Sequence, residues 1–326
     1  MKKVHRFAAL AAATAAAAFT GTGWALAQTY PSKAIRLVVP FAPGGGTDVT
    51  ARYMGTRLSD RLAQPVVVDN RPAASGVVGA DLVAKATPDG HTLLVVSVTF
   101  VISAALQKGL PYEGVNDFAP ITLLISAPLG VLVHPSIPAK TVKELIAHAK
   151  ANPGKLNYGS SGPGSIAHLS TELFDSMAGI RMTHIPYKGV APYTTAQLGN
   201  EIQVGMSNLF STMPHWKAGR LRLIAHSGAR RIDAMPELPT IAESGVPGYD
   251  ATIWYGFMAP AKTPRPIVQK LHHEIVAIAQ TPDARQLFVS QGNEVVANTP
   301  DEFSKVIRTE SAKWGDIGRR LGVTLD

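Results

Sequence analysis

The sequence predicts an α/β protein made of two blocks. Short β-branched runs alternate with stretches of helical periodicity, the grammar of a doubly wound sheet. That alternation restarts near Pro128. A chain of 326 residues, 46% of them hydrophobic, is long enough for two domains of about 150 residues each.

In chain order, Ile35–Val39, Val66–Asp69 and Thr92–Val96 are predicted strands. Val49, Tyr53, Met54, Leu58 and Leu62 recur at helical spacing after the first of them. In the second block, Gly130–Val133, Leu156–Gly159, Ile202–Met206 and Leu221–Ala225 are predicted strands, with helical stretches between them. Thr141-Val142-Lys143-Glu144 is a capping box, in which hydroxyl and carboxylate each satisfy a helix-terminal amide. The tail returns to long helices. Thr263-Pro264 predicts an N-cap with proline at the first helical position, followed by Ile267, Val268, Leu271, Ile275 and Ile278 on one face. Thr299-Pro300-Asp301-Glu302 is a second capping box, opening a helix that should end at Gly322. Gly245–Pro260, rich in Gly, Pro and aromatics, is expected to be a crossover.

The amino terminus predicts export. Lys2, Lys3, His5 and Arg6 form a positive region, Phe7–Phe19 an apolar one, and Ala25-Leu26-Ala27 a cleavage signal before Gln28. Residues 1–27 are therefore expected to be a signal peptide. No cysteine follows the site, so no lipid can be attached there, and no later stretch is apolar enough to span a bilayer. The expectation is a soluble periplasmic chain, not itself membrane-embedded. The absence of cysteine also excludes disulfides, thiolate metal sites and cysteine nucleophiles. Of the formal charge of +8, three units belong to Lys2, Lys3 and Arg6, leaving about +5 for the mature chain. The surplus is spread out, without basic runs or basic–aromatic interleaving, so no nucleic-acid partner is expected.

Two segments carry the chemistry. Pro40-Phe41-Ala42-Pro43-Gly44-Gly45-Gly46-Thr47-Asp48 follows the first strand and opens the first helix. Its glycines let backbone approach a ligand, and the helix start offers unpaired amides and a positive dipole end, which together suit an anion. A plain turn capped by Thr47 or Asp48 is the alternative. Val49 stands where a dinucleotide fingerprint needs its last glycine, and no Gly-Lys-Ser/Thr is present, so nucleotides are poor candidates. Gly159-Ser160-Ser161-Gly162-Pro163-Gly164-Ser165 repeats the arrangement in the second block, with His168 on the following helix either touching ligand or packing. Ile185-Pro186-Tyr187-Lys188-Gly189 follows another short strand. There Tyr187 can supply a wall and Lys188 a charge, although a solvated lysine is the plainer reading. The ten histidines are scattered, His272-His273-Glu274 is not H-E-x-x-H, and no Ser/His/Asp set can be nominated. No metal, cofactor or catalytic residue is expected.

These segments, with Pro236-Glu237-Leu238-Pro239-Thr240-Ile241-Ala242-Glu243-Ser244-Gly245-Val246-Pro247-Gly248-Tyr249, resemble in order the Bug-type solute receptors of tripartite tricarboxylate transporters. The resemblance covers essentially the whole mature chain. It implies a two-lobed periplasmic binding protein fold with a ligand cleft between the lobes. It also implies a non-enzymatic, monomeric receptor that delivers a small carboxylate to integral membrane permease subunits. The expected lobes are 28–126 with 255–326, and 127–254. The implied ligand-binding residues are Phe41, Ala42, Gly44, Gly45, Gly46, Asp48, Ser97, Thr99, Ser160, Ser161, Gly164, Ser165, His168, Tyr187, Lys188 and Asn208. Relatives often carry histidine where this chain has Phe100, and an acidic residue near Ser207-Asn208, which implies a less polar or differently shaped distal pocket. Two alternatives remain open at this level: an exported hydrolase using Ser160, Ser161 or Ser165, and a ligand sensor for a membrane signalling protein.

Overall fold

The computed structural model describes residues 30–72 and 76–325; the expected signal peptide lies outside them. The chain divides after Ser32, and every element below belongs to the unit that begins at Lys33. In order, these are β1 (Ile35–Val39), α1 (Gly46–Leu62), β2 (Val66–Asn70), α2 (Val77–Ala84), β3 (Thr92–Ser97), α3 (Val98–Leu106) and β4 (Phe118–Val133). There follow α4 (Val142–Ala151), β5 (Asn157–Ser160), α5 (Ile166–Ala178), β6 (Thr183–Pro186), α6 (Val190–Leu198), β7 (Val204–Asn208) and α7 (Leu209–Lys217). The last are β8 (Arg222–His226), β9 (Thr252–Pro260), α8 (Arg265–Ala279), α9 (Pro282–Ser290), β10 (Glu294–Val295) and α10 (Pro300–Arg320).

The strands form one mixed sheet in the order β2-β1-β3-β9-β4-β7-β5-β6, with β8 and β10 also on β4. The β1–β2 and β1–β3 pairs are parallel, as are β5–β6 and β5–β7. Two long central strands join these groups. Residues Phe118–Pro128 of β4 pair antiparallel with β9, and Leu129–Val133 pair with β7 and β8. The partner change falls at Pro128, which has no amide to donate to the ladder.

The expected crossover at Gly245–Pro260 is corrected here, since Thr252–Pro260 is a central strand, antiparallel to both β3 and β4. The doubly wound sheet expected from β-α alternation is therefore mixed. Eight of the nine β9 residues are buried, so the strand shows no period-two alternation in sequence.

Local chemistry explains most element boundaries. On α1, Ala51, Met54, Leu58 and Leu62 make the buried stripe. The box at Thr299 is complete: its hydroxyl accepts from the Glu302 amide, and its own amide donates to the Glu302 carboxylate. At Thr141 only half forms, because Glu144 takes the Lys140 amide instead. The helix expected to start at Pro264 begins at Arg265, with Pro264 itself as N-cap and no side-chain cap. Pro266 occupies the second helical position, where its missing amide costs nothing. Helix α10 ends at Arg320 rather than Gly322. Gly322 adopts φ +69°, and the amides of Gly322 and Val323 close onto the carbonyls of Arg319 and Gly318.

The C-terminal helices pack back on the first block. Arg61 pairs with Glu274 at 2.7 Å and Arg57 with Asp283 at 2.9 Å, joining α1 to α8 and α9. Trp254 of β9 meets Phe303 of α10 edge to face at 5.4 Å, and Trp314 is fully buried. Among the described residues, no helix is long and apolar enough to cross a membrane.

Candidate functional site

Five strands end where five helices begin, and these junctions converge on one small cavity. β1 leads to α1, β3 to α3, β5 to α5, β6 to α6 and β7 to α7. The cavity, about 40 Å³, is lined from α1 by Gly46 and Thr47, and from the β3–α3 junction by Ser97 and Thr99. Ile166 and Ala167 of α5, Val190 of α6 and Asn208 ahead of α7 complete the ring. A helix start exposes amides without helical partners and about half a positive charge. The N-caps of α1, α3 and α6 make no side-chain capping bond. Among the described residues, no lining side chain is charged, and backbone at the helix starts supplies a positive field. In open α/β sheets, the carboxyl ends of strands are where such a crevice forms.

The floor is set by close contact between distant elements. Asn208 donates to the Tyr255 hydroxyl at 2.9 Å, and its own oxygen accepts from the Ser211 amide and hydroxyl. Gly46 abuts this pair so tightly that a Cβ there would lie 2.2 Å from the Tyr255 oxygen and 2.7 Å from the Asn208 nitrogen. Burial raises the Tyr255 and Tyr193 phenols well above their usual range, so both stay protonated donors. Thr99 accepts the first α5 amide, that of Ile166, at 3.3 Å.

Phe41 and Ser161 line both this cavity and a wider groove of about 610 Å³ beside it. That groove is walled by Pro40, Pro163, Pro186, Tyr187, Lys188 and Leu325, among others. Among the described residues, the exposed Lys188 is its sole charged wall residue.

The structure brings Phe41, Ala42, Gly45, Gly46, Ser97, Thr99, Ser161 and Asn208 to the cavity, and Tyr187 and Lys188 to the groove. It does not bring Gly44, Asp48, Ser160, Gly164, Ser165 or His168 to either wall; these shape the loops. The Asp48 carboxylate accepts from the Gly44 amide, Arg52 and Asn70. Burial opposes its ionisation, but those hydrogen bonds outweigh it and hold the group below the usual carboxylate range. The Ser165 hydroxyl caps α5 through the His168 amide. The Ser160 hydroxyl is fully buried, 2.6 Å from His184 Nε2, and also donates to the Gly162 carbonyl. The His168 ring accepts the Gly164 amide, and burial lowers its pKa to about 4.

Phe100 corrects another expectation. It turns from the cavity into a cluster with Tyr112 and Phe118, at 6.3 and 5.1 Å, and shapes no wall. The cavity residues that sequence reasoning missed include Leu129, Ile166, Ala167, Tyr193, Met206, Ile253 and Tyr255, together with the α6 start. Only the last had a local signal: Gly189, at φ +128°, repeats the strand–glycine–helix pattern. Among the described residues, no group of three or more His, Asp or Glu could hold a metal ion. His273 is exposed and His272 half-buried, the latter meeting the Asn298 carbonyl.

Known proteins share this fold. Residues 50–323 match the family model described as Tripartite tricarboxylate transporter family receptor. Protein BugT of Bordetella pertussis is 36% identical over 301 residues, 92% of each chain. A solved periplasmic transporter is 40% identical with TM-score 0.87, covering 91% of this chain and all of that one. R. palustris Rpa4515, solved with adipate, is 34% identical with TM-score 0.88, covering 90% and 99%. With its two-lobed α/β architecture, the chain belongs to the tripartite tricarboxylate transporter receptor family.

Proposed function

We propose that this protein is a periplasmic receptor that holds one carboxylate of a small organic acid in the helix-ringed cavity and presents it to membrane permease subunits. The observation that carries this reading is the ring of five helix starts around a cavity that no described residue lines with a charged side chain. Such a site favours an anion over a cation and satisfies carboxylate oxygens through amides and hydroxyls. At about 40 Å³ it takes the carboxylate and little more, so the rest of the ligand extends past Phe41 and Ser161 into the groove beside Tyr187 and Lys188. The adipate complex of Rpa4515 supports the ligand class.

The proposed lobes are residues 28–126 with 255–326, and 127–254. The change of β4 partners at Pro128 supports this division, with β4 and β9 as the connecting strands. Each loop comes from a different lobe, so a ligand touching both stabilises the closed form by its preference for that form. We further propose a monomer, exported through residues 1–27, that catalyses no reaction and binds no cofactor. The Ser160–His184 pair supports no hydrolase, because its hydroxyl is sealed under Gly162 and lines neither cavity nor groove.

Native mass spectrometry of the purified protein, followed by a thermal-shift screen of carboxylic acids, tests the reading. A retained organic acid that raises the unfolding temperature is the expected result. A retained cation or sugar, with no response to any acid, would refute it.

A further inference from the structure

We propose that His168 and His184 are positioning residues that hold the Ser160–Gly164 loop from behind and so set Ser161 against the ligand. This inference rests on the carboxylate site proposed above.

Two imidazoles reach the same loop from different elements. On α5, His168 Nδ1 accepts the Gly164 amide at 3.1 Å. On β6, His184 Nε2 lies 2.6 Å from the Ser160 hydroxyl. That hydroxyl donates to the Gly162 carbonyl at 3.0 Å and accepts the Gly162 amide at 3.2 Å. With its proton on the carbonyl, the hydroxyl takes a hydrogen from His184 Nε2. Both ends of the loop that carries Ser161 are therefore fastened to imidazoles.

The imidazoles also fasten each other. Their rings stack at 4.0 Å and 9°, and Tyr158 of β5 continues the stack at 4.9 Å from His184. The Tyr158 hydroxyl donates to Glu172 at 2.5 Å. Neither histidine lines the cavity or the groove, so neither touches ligand directly.

The two attachments respond differently to acid. His168 accepts through Nδ1, so protonation of that nitrogen abolishes its bond to Gly164. The His184 bond donates through Nε2 and survives protonation. The groups facing the pair are Tyr158 on β5 and Glu172 on α5, which acts to raise His184; Asp175 lies behind them, acting on Tyr158. Burial lowers both histidines to about 4, His168 also depressing His184, so the loop stays fastened at neutral pH.

Two substitutions separate positioning from bulk packing. His168→Phe keeps the stacked ring and removes the acceptor; His168→Asn keeps an acceptor one bond from Cγ and removes the ring. The readouts are amide exchange at Gly164 by nuclear magnetic resonance and calorimetric affinity for adipate as probe. His168→Phe should lose at least about tenfold in Gly164 protection and about tenfold in adipate affinity, without a matching loss of stability. His168→Asn, the less stable of the two, should recover most of both. Relative to His168→Asn, whose acceptor does not titrate, wild-type affinity should hold constant through neutral pH and fall as pH drops through about 4, the protonation of adipate being common to both. Affinity that tracks stability instead, or Gly164 protection unchanged in His168→Phe, overturns the positioning role. Wild type that binds neither adipate nor any other acid overturns the site reading, and this inference with it.

Discussion

Gly46 is the position where a single methyl group should do the most harm. A Cβ there would lie 2.2 Å from the Tyr255 oxygen, 2.7 Å from its ring carbon and 2.7 Å from Asn208 Nδ2. Neither partner can swing aside, since both are 2% exposed and bonded to each other at 2.9 Å. Gly46→Ala must break that bond, leaving buried donors unpaired at about 1–3 kcal/mol. Overpacking adds about 1–3 kcal/mol. The helical preference of alanine returns at most about 1 kcal/mol. The net expectation is a loss of about 1–6 kcal/mol, centred near 3. Gly45→Ala is the control one residue away, where the new carbon meets Val190 at an ordinary 3.7 Å. Its cost should be limited to a weaker N-cap, about 0.5–1 kcal/mol. Urea unfolding followed by circular dichroism measures both. Equal losses in the two variants would refute the reasoning, because the packing of Gly46 against Tyr255 and Asn208 would then carry no weight.

Three further outcomes follow from named contacts. Ser161→Ala should fold normally and bind its carboxylate about tenfold more weakly by calorimetry, since it removes the hydroxyl of a residue that lines both cavity and groove. Burial raises Asp175 to about 7 against the Met182 amide that lowers it, with nearby Glu172 adding to the rise. A raised folded value means stability complete below the unfolded pKa near 4 and lost as pH rises through about 7. Wild type should therefore lose roughly 1–3 kcal/mol relative to Asp175→Asn between pH 5 and pH 8 in urea melts. Thr299→Ala removes the hydroxyl half of a complete capping box, leaving the backbone amide on Glu302, and should cost about 1 kcal/mol in the same assay, whereas Thr299→Ser should cost less.

Much of this was legible in sequence because the local chemistry is self-contained. Three glycines after a strand and before a helical stripe mark a helix start, and α1 begins at Gly46 with no side-chain cap, where a cap by Thr47 or Asp48 is the alternative. The boundaries of β1, α5 and α10 follow equally local signals. The long strands were not legible. Of Phe118–Val133 only Gly130–Val133 is an expected strand; the rest contains Pro120 and Pro128, and register shifts between Pro120 and Thr122 and between Leu123 and Ile125 let the ladder continue. β9 lies buried on both faces, so its Gly, Pro and aromatic residues read as a loop.

The site divides in the same way. Loop backbone is locally encoded, but Tyr255, Tyr193 and Met206 arrive from elements far away in sequence. Side-chain direction is not encoded locally either. Ser160 and Ser161 are neighbours of one type, yet only Ser161 lines the cavity; the Ser160 hydroxyl turns back on Gly162 and His184. A polar side chain beside a glycine loop can serve the ligand or the loop, and only the fold decides between them.

The central claim is that helix starts, rather than charged side chains, hold a carboxylate. The most direct measurement compares an acid found in the screen with its methyl ester by titration calorimetry at neutral pH. The ester keeps the skeleton and removes the charge. The account predicts at least about a hundredfold weaker binding of the ester, corresponding to the loss of one or two charge-assisted hydrogen bonds. Equal affinity for acid and ester would contradict it.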